Sequence, residues 1–249
     1  MKNKQRTIAL IPAAGVGTRF GASMPKQYVC IHKIPVLLHT LQCLSIPQIE
    51  AIYIVLSPTD EIFTEIKIQY KDFLSLLLHQ EDACEFSWRI LTLGGVSRAH
   101  TVRNALEYLK RENLVEEHDW ILVHDAVRCC LPHEYLYQLI KTVHVGQQGA
   151  ILAQRVMDTV KKVGKYKYIQ ATLNRDYLWL AQTPQMFLLK DLLKAYEQVS
   201  ELDKITDEAS LLEVIGKPVL IVNSDTRNFK ITTLQDMHYA EYLLSNKSE

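Results

Sequence analysis

Residues 8–28 read IALIPAAGVGTRFGASMPKQY, a short apolar run followed by a loop of small residues carrying two cations. Ile8 to Ile11 suit a strand buried on both faces. The glycines that follow let backbone N–H groups approach an anion, so a phosphate is the natural ligand for the loop. Two familiar glycine motifs fail on spacing. Gly15, Gly17 and Gly21 form GxGxxxG, one residue too long for the dinucleotide fingerprint, and Ser57 and Pro58 stand where an acidic residue would close the second strand. Lys26 follows Pro25 and precedes Gln27, so there is no Gly-Lys-Ser/Thr of a Walker A loop. A nicotinamide-dependent oxidoreductase is disfavoured on the first count.

Outward from this loop, apolar runs alternate with helix-like segments, the pattern of a mainly parallel sheet with crossover helices. Strands are expected at Ile8–Ile11, Ala51–Leu56, Ile90–Leu93, Trp120–Val123, Ala150–Ala153 and Val219–Val222. Helices are expected at Val36–Leu44, Glu61–Leu78, Arg98–Lys110, Glu134–Val145, Lys190–Val199, Asp207–Ile215 and Leu234–Leu244. The fold class is therefore α/β, a Rossmann-like sheet flanked by helices, in a single domain spanning 1–249. VMDTVKKVGKYKYIQAT, from Val156 to Thr172, breaks the alternation, and Gly164-Lys165 suits a two-residue II′ turn. This predicts an antiparallel hairpin arm over 154–174, projecting because a parallel sheet has no place for it.

Composition bounds the partners. The 249 residues carry 28 Lys plus Arg and 28 Asp plus Glu, for a net charge of zero, so binding nucleic acid or an anionic membrane through bulk charge is disfavoured. Hydrophobic residues make up 48% of the chain, which excludes a disordered protein. The five cysteines, Cys30, Cys43, Cys84, Cys129 and Cys130, show neither CxxC nor zinc spacing, so reduced thiols in a cytoplasmic protein are expected. Lys2, Lys4 and Arg6 before an apolar stretch imitate a secretory signal, but Pro12 interrupts the stretch and the glycines lead into Thr18 and Arg19. No apolar run approaches the ~20 residues that span a bilayer. At 249 residues a second catalytic domain is not expected.

Nine collinear segments, PAAGVGTRF, PKQY, GGVSRAHTV, HDAVR, MDTVK, LNRDYLW, QTPQMF, TDEAS and NFKIT, cover nearly the whole chain. Together they resemble the 2-C-methyl-D-erythritol 4-phosphate cytidylyltransferase family. The resemblance implies that CTP and a polyol phosphate are joined with release of pyrophosphate, in non-mevalonate isoprenoid biosynthesis, with Mg²⁺ or another divalent cation and in a homodimer. It also implies the residue roles. Arg19 and Lys26 would stabilise the transferring phosphate, and Pro12, Ala13, Ala14, Gly15 and Gly17 would wrap the nucleotide. Gly94, Gly95, Arg98 and Thr101 would help recognise the base, Thr101 standing where the family often has Ser. A helix start capped by Ser97 can coexist with that role.

Asp125 would hold the metal, since Mg²⁺ takes few protein carboxylates alongside phosphates. Arg128, Thr159 and Thr183 would line the second substrate's site, and Arg175 and Lys230 would position it for attack. A phosphate dianion needs such cations, and a polyol needs hydroxyls such as those of threonine. His124 reads as a packed, hydrogen-bonded residue, and Lys161, Lys162, Lys165 and Lys167 as a solvated face. The family usually continues with Pro after this Arg, whereas this chain has Cys129 and Cys130. The alternative is a cytidylyltransferase for ribitol 5-phosphate or another polyol phosphate, which motifs alone separate poorly. An inactive scaffold is disfavoured because Arg19, Lys26, Asp125, Arg175 and Lys230 occur together.

Overall fold

Strand β1 (Thr7–Pro12) points Ile8 and Leu10 into one layer of helices and Ala9 and Ile11 into the other, as a strand covered on both faces must. The protein is seen here as a computed structural model that describes residues 5–15, 24–77 and 87–245. After β1 come the short strands β2 (Cys30–Ile31) and β3 (Ile34–Pro35), helix α1 (Val36–Leu44), β4 (Ala51–Val55), α2 (Ile62–Gln69), α3 (Lys71–Leu76) and β5 (Ser87–Leu91). The chain continues through α4 (Arg98–Arg111), β6 (Trp120–Val123), α5 (His133–Gly146), β7 (Ala150–Arg155), β8 (Val160–Val163) and β9 (Ile169–Leu173). It ends with β10 (Trp179–Leu188), α6 (Leu189–Gln198), α7 (Glu208–Val214), β11 (Leu220–Asn223) and α8 (Leu234–Ser245).

Seven strands form one sheet in the order β11-β7-β10-β6-β1-β4-β5. All the pairings are parallel except those of β10, which runs antiparallel to both β6 and β7. One face packs on α4, α6 and α7, and the other on α1, α2 and α5. Helix α4 shows why: Ala99, Val102, Ala105, Leu106 and Leu109 fall on one stripe and are all buried. Each Leu or Val so buried contributes about 1.5–3 kcal/mol. From β1 the chain goes to β4 on one side and later returns to β6 on the other. Such a reversal opens a crevice beyond the carboxyl ends of β1 and β6.

Three expectations need correction. The helix expected over Glu61–Leu78 is two helices, because Tyr70 leaves helical geometry (φ −108°, ψ 27°) while its hydroxyl donates to the Lys33 carbonyl at 2.7 Å. The arm is a hairpin with its own two-stranded sheet, but its turn is not type II′. Lys167 N–H donates to the Gly164 carbonyl at 3.0 Å and Lys167 takes φ +62°, a three-residue loop with a left-handed last residue. Strand β10 was not expected at all. Its register against β7 shifts between Ala181 and Gln185, around the cis Thr183–Pro184 bond, where proline has no N–H to donate.

Candidate active site

The β1 carboxyl end leads to Pro12, Ala13, Ala14 and Gly15, and the loop is held from behind by Gln27. The buried Gln27 amide donates to the carbonyls of Ala13 (2.9 Å) and Gly15 (3.0 Å). These four residues, with Lys26, Gly95, Ser97, Arg98, Thr101, Asp125 and Lys230, line a cavity of about 400 Å³. A second cavity of about 240 Å³ adjoins it, lined by Arg128, Gln182, Thr183, Gln185, Thr206 and Asp207. Arg98, Asp125 and Lys230 line both and so form the wall between them. A larger hollow of about 560 Å³, between α1, the β2–β3 turn and the end of α8, shares no residue with either.

Asp125 is the centre of the wall. Its Oδ1 accepts from Arg98 Nε at 2.9 Å, and its Oδ2 lies 2.9 Å from Lys230 Nζ and 3.6 Å from Arg128 Nε. Burial resists ionisation of this carboxyl, but Arg98, Lys230 and Arg128 together outweigh it and hold its pKa well below the usual carboxylate range. Arg98 is doubly engaged, since Nη1 and Nη2 donate to the two oxygens of the buried Glu208 at 2.7 and 2.9 Å. Burial opposes its charge, and Glu208 and Asp125 more than restore it.

The backbone beneath Asp125 is fixed by a directed chain of hydrogen bonds. Asp125 N–H donates to Thr183 Oγ1 (3.0 Å), and His124 Nε2 lies 3.1 Å from the Arg128 carbonyl, which can only accept. The His124 proton is therefore on Nε2, and Nδ1 accepts from the Thr183 hydroxyl at 3.0 Å. Burial pushes the His124 pKa down to about 4. Arg128 is set by its Nη1 donating to the Asn228 carbonyl at 2.7 Å, and Asn228 in turn donates to Gln182 Oε1 and the Thr183 carbonyl. Cys129, where the resemblance implies proline, and Cys130 pack into a small cluster with Met237 and Ala240 of α8. The loop still delivers Arg128 to Asp125.

The expected site residues thus divide. Pro12, Ala13, Ala14, Gly15, Lys26, Gly95, Arg98, Thr101, Asp125, Arg128, Thr183 and Lys230 come together in the two cavities. Gly94 lines neither, and its missing side chain serves packing: a Cβ there would lie 2.4 Å from Ala14 Cβ. Thr101 serves the helix start as well, accepting from Gly95 N–H and donating to the Ser97 carbonyl, both at 3.0 Å. Arg175 and Thr159 sit on the exposed arm, outside both cavities of their own chain. Gly17, Arg19 and Cys84 lie outside the described residues. Sequence reasoning gave no role to Gln27, Gln182, Gln185, Asp207 or Glu208, although the quoted PKQY, QTPQMF and TDEAS segments contain them. No group of three or more metal-ligating side chains occurs among the described residues. Asp125 is the one carboxylate common to the two cavities, and a Mg²⁺ that takes its other ligands from phosphates and water would need no more.

A doubly wound sheet whose switch-point crevice holds two cavities meeting at a carboxylate ringed by cations suits a transfer between two anionic reactants, the chemistry of the nucleotidyltransferase class. The comparisons give the family. The profile of the IspD family, 2-C-methyl-D-erythritol 4-phosphate cytidylyltransferase, matches residues 7–246, and the chain belongs to that family. The proteins of that name from Chromobacterium violaceum and from Neisseria meningitidis serogroup C are 39% and 41% identical to it. Each comparison covers 97% of this chain, with 99% and 98% of the relative. A crystal structure of 4-diphosphocytidyl-2C-methyl-D-erythritol synthase superposes with a TM-score of 0.78 at 38% identity, over 97% of this chain and 99% of that one. The 2-C-methyl-D-erythritol 4-phosphate cytidylyltransferase of Francisella tularensis gives 0.72 at 31%, over 96% of this chain and 100% of that one.

Proposed function

We propose that the chain transfers the cytidylyl group of CTP to 2-C-methyl-D-erythritol 4-phosphate, making CDP-methylerythritol and pyrophosphate for non-mevalonate isoprenoid biosynthesis. The observation that supports this, beside family membership, is the shared wall of Asp125, Arg98 and Lys230 between two cavities, where two anionic reactants would meet. CTP occupies the larger cavity with its triphosphate along the glycine loop. The acceptor lies in the smaller, its phosphate toward Lys230 and Arg128 and its hydroxyls toward Thr183. A phosphate oxygen of the acceptor attacks the α-phosphorus, the bond from that phosphorus to the α–β bridging oxygen breaks, and pyrophosphate leaves. No covalent enzyme intermediate is needed, so rate comes from positioning and from cations placed where charge develops. Lys26 serves that role, with Arg19. Asp125, with the nucleotide's phosphates, would hold Mg²⁺ or another divalent cation, which neutralises phosphate charge when bound.

The arm completes the reading. Eight of the exposed large hydrophobics lie between Met157 and Leu180, among them Tyr166, Tyr168 and Tyr177 at 77%, 78% and 83% exposure. A two-fold dimer of a single-domain chain, with arms over 154–174 covering each other, buries this surface and carries Arg175 and Thr159 to the partner's site. A cytoplasmic location follows from the cysteine spacing, which suits reduced thiols, and no described helix is long and apolar enough to cross a membrane. The test is a pyrophosphate-release assay crossing CTP, UTP, ATP and GTP with methylerythritol phosphate and ribitol 5-phosphate. CTP with methylerythritol phosphate and a divalent cation should be fastest, and faster turnover with ribitol phosphate would overturn the acceptor.

A further inference from the structure

Glu208 is a carboxylate buried to 1% exposure at the first turn of α7, and Arg98 meets it with both terminal nitrogens in a two-pronged fork. Helix α7 is itself anchored: Asp207 caps it by accepting from Ser210 N–H at 2.9 Å, and Gln185 of β10 donates to Asp207 Oδ2 (2.8 Å) while accepting from Ala209 N–H (2.9 Å). Arg98 is thus gripped from a rigid corner, and its remaining Nε–H falls on Asp125 Oδ1. That contact turns the carboxylate so that Oδ2 faces Lys230 and Arg128. Around the wall stand three cations, Arg98, Arg128 and Lys230, against two carboxylates. Without Glu208 the Arg98 fork would be the strongest free donor beside a triphosphate.

We propose that Glu208 is a positioning residue for the transfer: it fixes Arg98 against Asp125 and keeps that guanidinium from grasping the nucleotide's phosphates. Arg98 then acts chiefly on Asp125, in contrast to the nucleotide contact that the family resemblance implies. The proposal rests on the two-cavity reading above and sharpens it. A charge held this way is spent on geometry, so its loss should slow the chemical step without weakening nucleotide binding.

The test compares Glu208→Gln, Glu208→Asp, Arg98→Gln and the double variant Arg98→Gln/Glu208→Gln, using turnover and calorimetric CTP binding. Glu208→Gln should lower kcat about tenfold, the scale of one charged hydrogen bond, with CTP bound as tightly as in the wild type or more so. Glu208→Asp keeps the charge and should stay within about threefold. Since Glu208 acts through Arg98, adding Glu208→Gln to Arg98→Gln should cost nothing further. Wild-type kcat in Glu208→Gln overturns the proposal, as do CTP binding weakened in step with kcat or additive losses in the double variant. Should Glu208→Gln fail to fold, Arg98→Lys, which keeps the charge but loses the fork on Glu208, decides it: kcat should fall with CTP binding unchanged, and a wild-type kcat overturns the proposal. Each variant is assayed with whichever acceptor the wild-type chain uses, so an error in the acceptor shows in the wild type alone.

Discussion

Two lysines at the site are expected to fail in different ways when removed. Lys26 stands beside the glycine loop in the larger cavity, so Lys26→Ala should lower kcat at least about a hundredfold, or about 2.7 kcal/mol of transition-state stabilisation, with the fold intact. Lys230 bonds Asp125 and faces both cavities, so Lys230→Ala should also raise the acceptor's KM. Steady-state kinetics and a melting curve separate the two, and near-normal turnover in folded Lys26→Ala would mean the reacting phosphate sits elsewhere. His124 offers a pH signature. Its folded pKa of about 4 is below the ordinary value of about 6.5, so between those limits the unfolded chain takes a proton that the folded one refuses. Stability should therefore fall as pH drops through that window, by up to about 3 kcal/mol from this residue. Urea unfolding at stepped pH should show that slope in the wild type and a shallower one in His124→Asn, and parallel curves would remove the assignment. Lys26 and Asp125 could be placed near the crevice from their positions after strand ends, whereas Arg128 and Lys230 entered through the family resemblance alone, and PKQY and HDAVR alike line one cavity. Glu208 and Gln27 could not be placed, because their work is to hold other residues and no spacing rule marks a bracing side chain.

Most of the parallel sheet could be read from apolar runs, and α1 and β6 fall where the pattern puts them. Strand β10 hid because Pro184 and the polar Gln182, Thr183 and Gln185 interrupt its apolar period. Those residues are buried because the strand closes the site, and their partners come from distant segments such as Asn228 and Asp207. The two-helix break at Tyr70 was invisible for a similar reason, since it depends on a carbonyl 37 residues away. Where the β1 and β5 loops cross, Gly94 leaves no room for a side chain: a Cβ would meet Ala14 Cβ at 2.4 Å and the Leu56 carbonyl oxygen at 2.9 Å. Gly94→Ala should destabilise the protein by about 1–3 kcal/mol and shift Ala14 into the nucleotide cavity. Chemical denaturation and the KM for CTP would both report it, and an unchanged pair of values would show that the loops yield freely.

At the scale of the molecule, one chain leaves Arg175 and Thr159 outside the two cavities, and the arm's apolar surface has no cover among the described residues. If sites are shared, inactive Lys26→Ala and Arg175→Ala chains should complement each other on mixing. Random exchange makes about half the dimers mixed, each with one site intact, so activity should recover to about a quarter of wild type. Subunit exchange verified by mass spectrometry without recovery would show that Arg175 serves its own chain. The arm is also the outer end of the β7–β10 pairing, since Trp179 pairs with Arg155 at its root and Thr183, four residues on, holds the Asp125 backbone. In the proposed dimer, strand β10 would thus join the arm, where chains would meet, to the wall around Asp125. Association and ligand occupancy would then be a single equilibrium read from two ends: any free energy an acceptor gains from a docked arm, docking gains from the acceptor. Sedimentation should find a smaller dimer dissociation constant with CTP and a non-reacting acceptor analogue present, and equal constants would mean that β10 carries no such coupling.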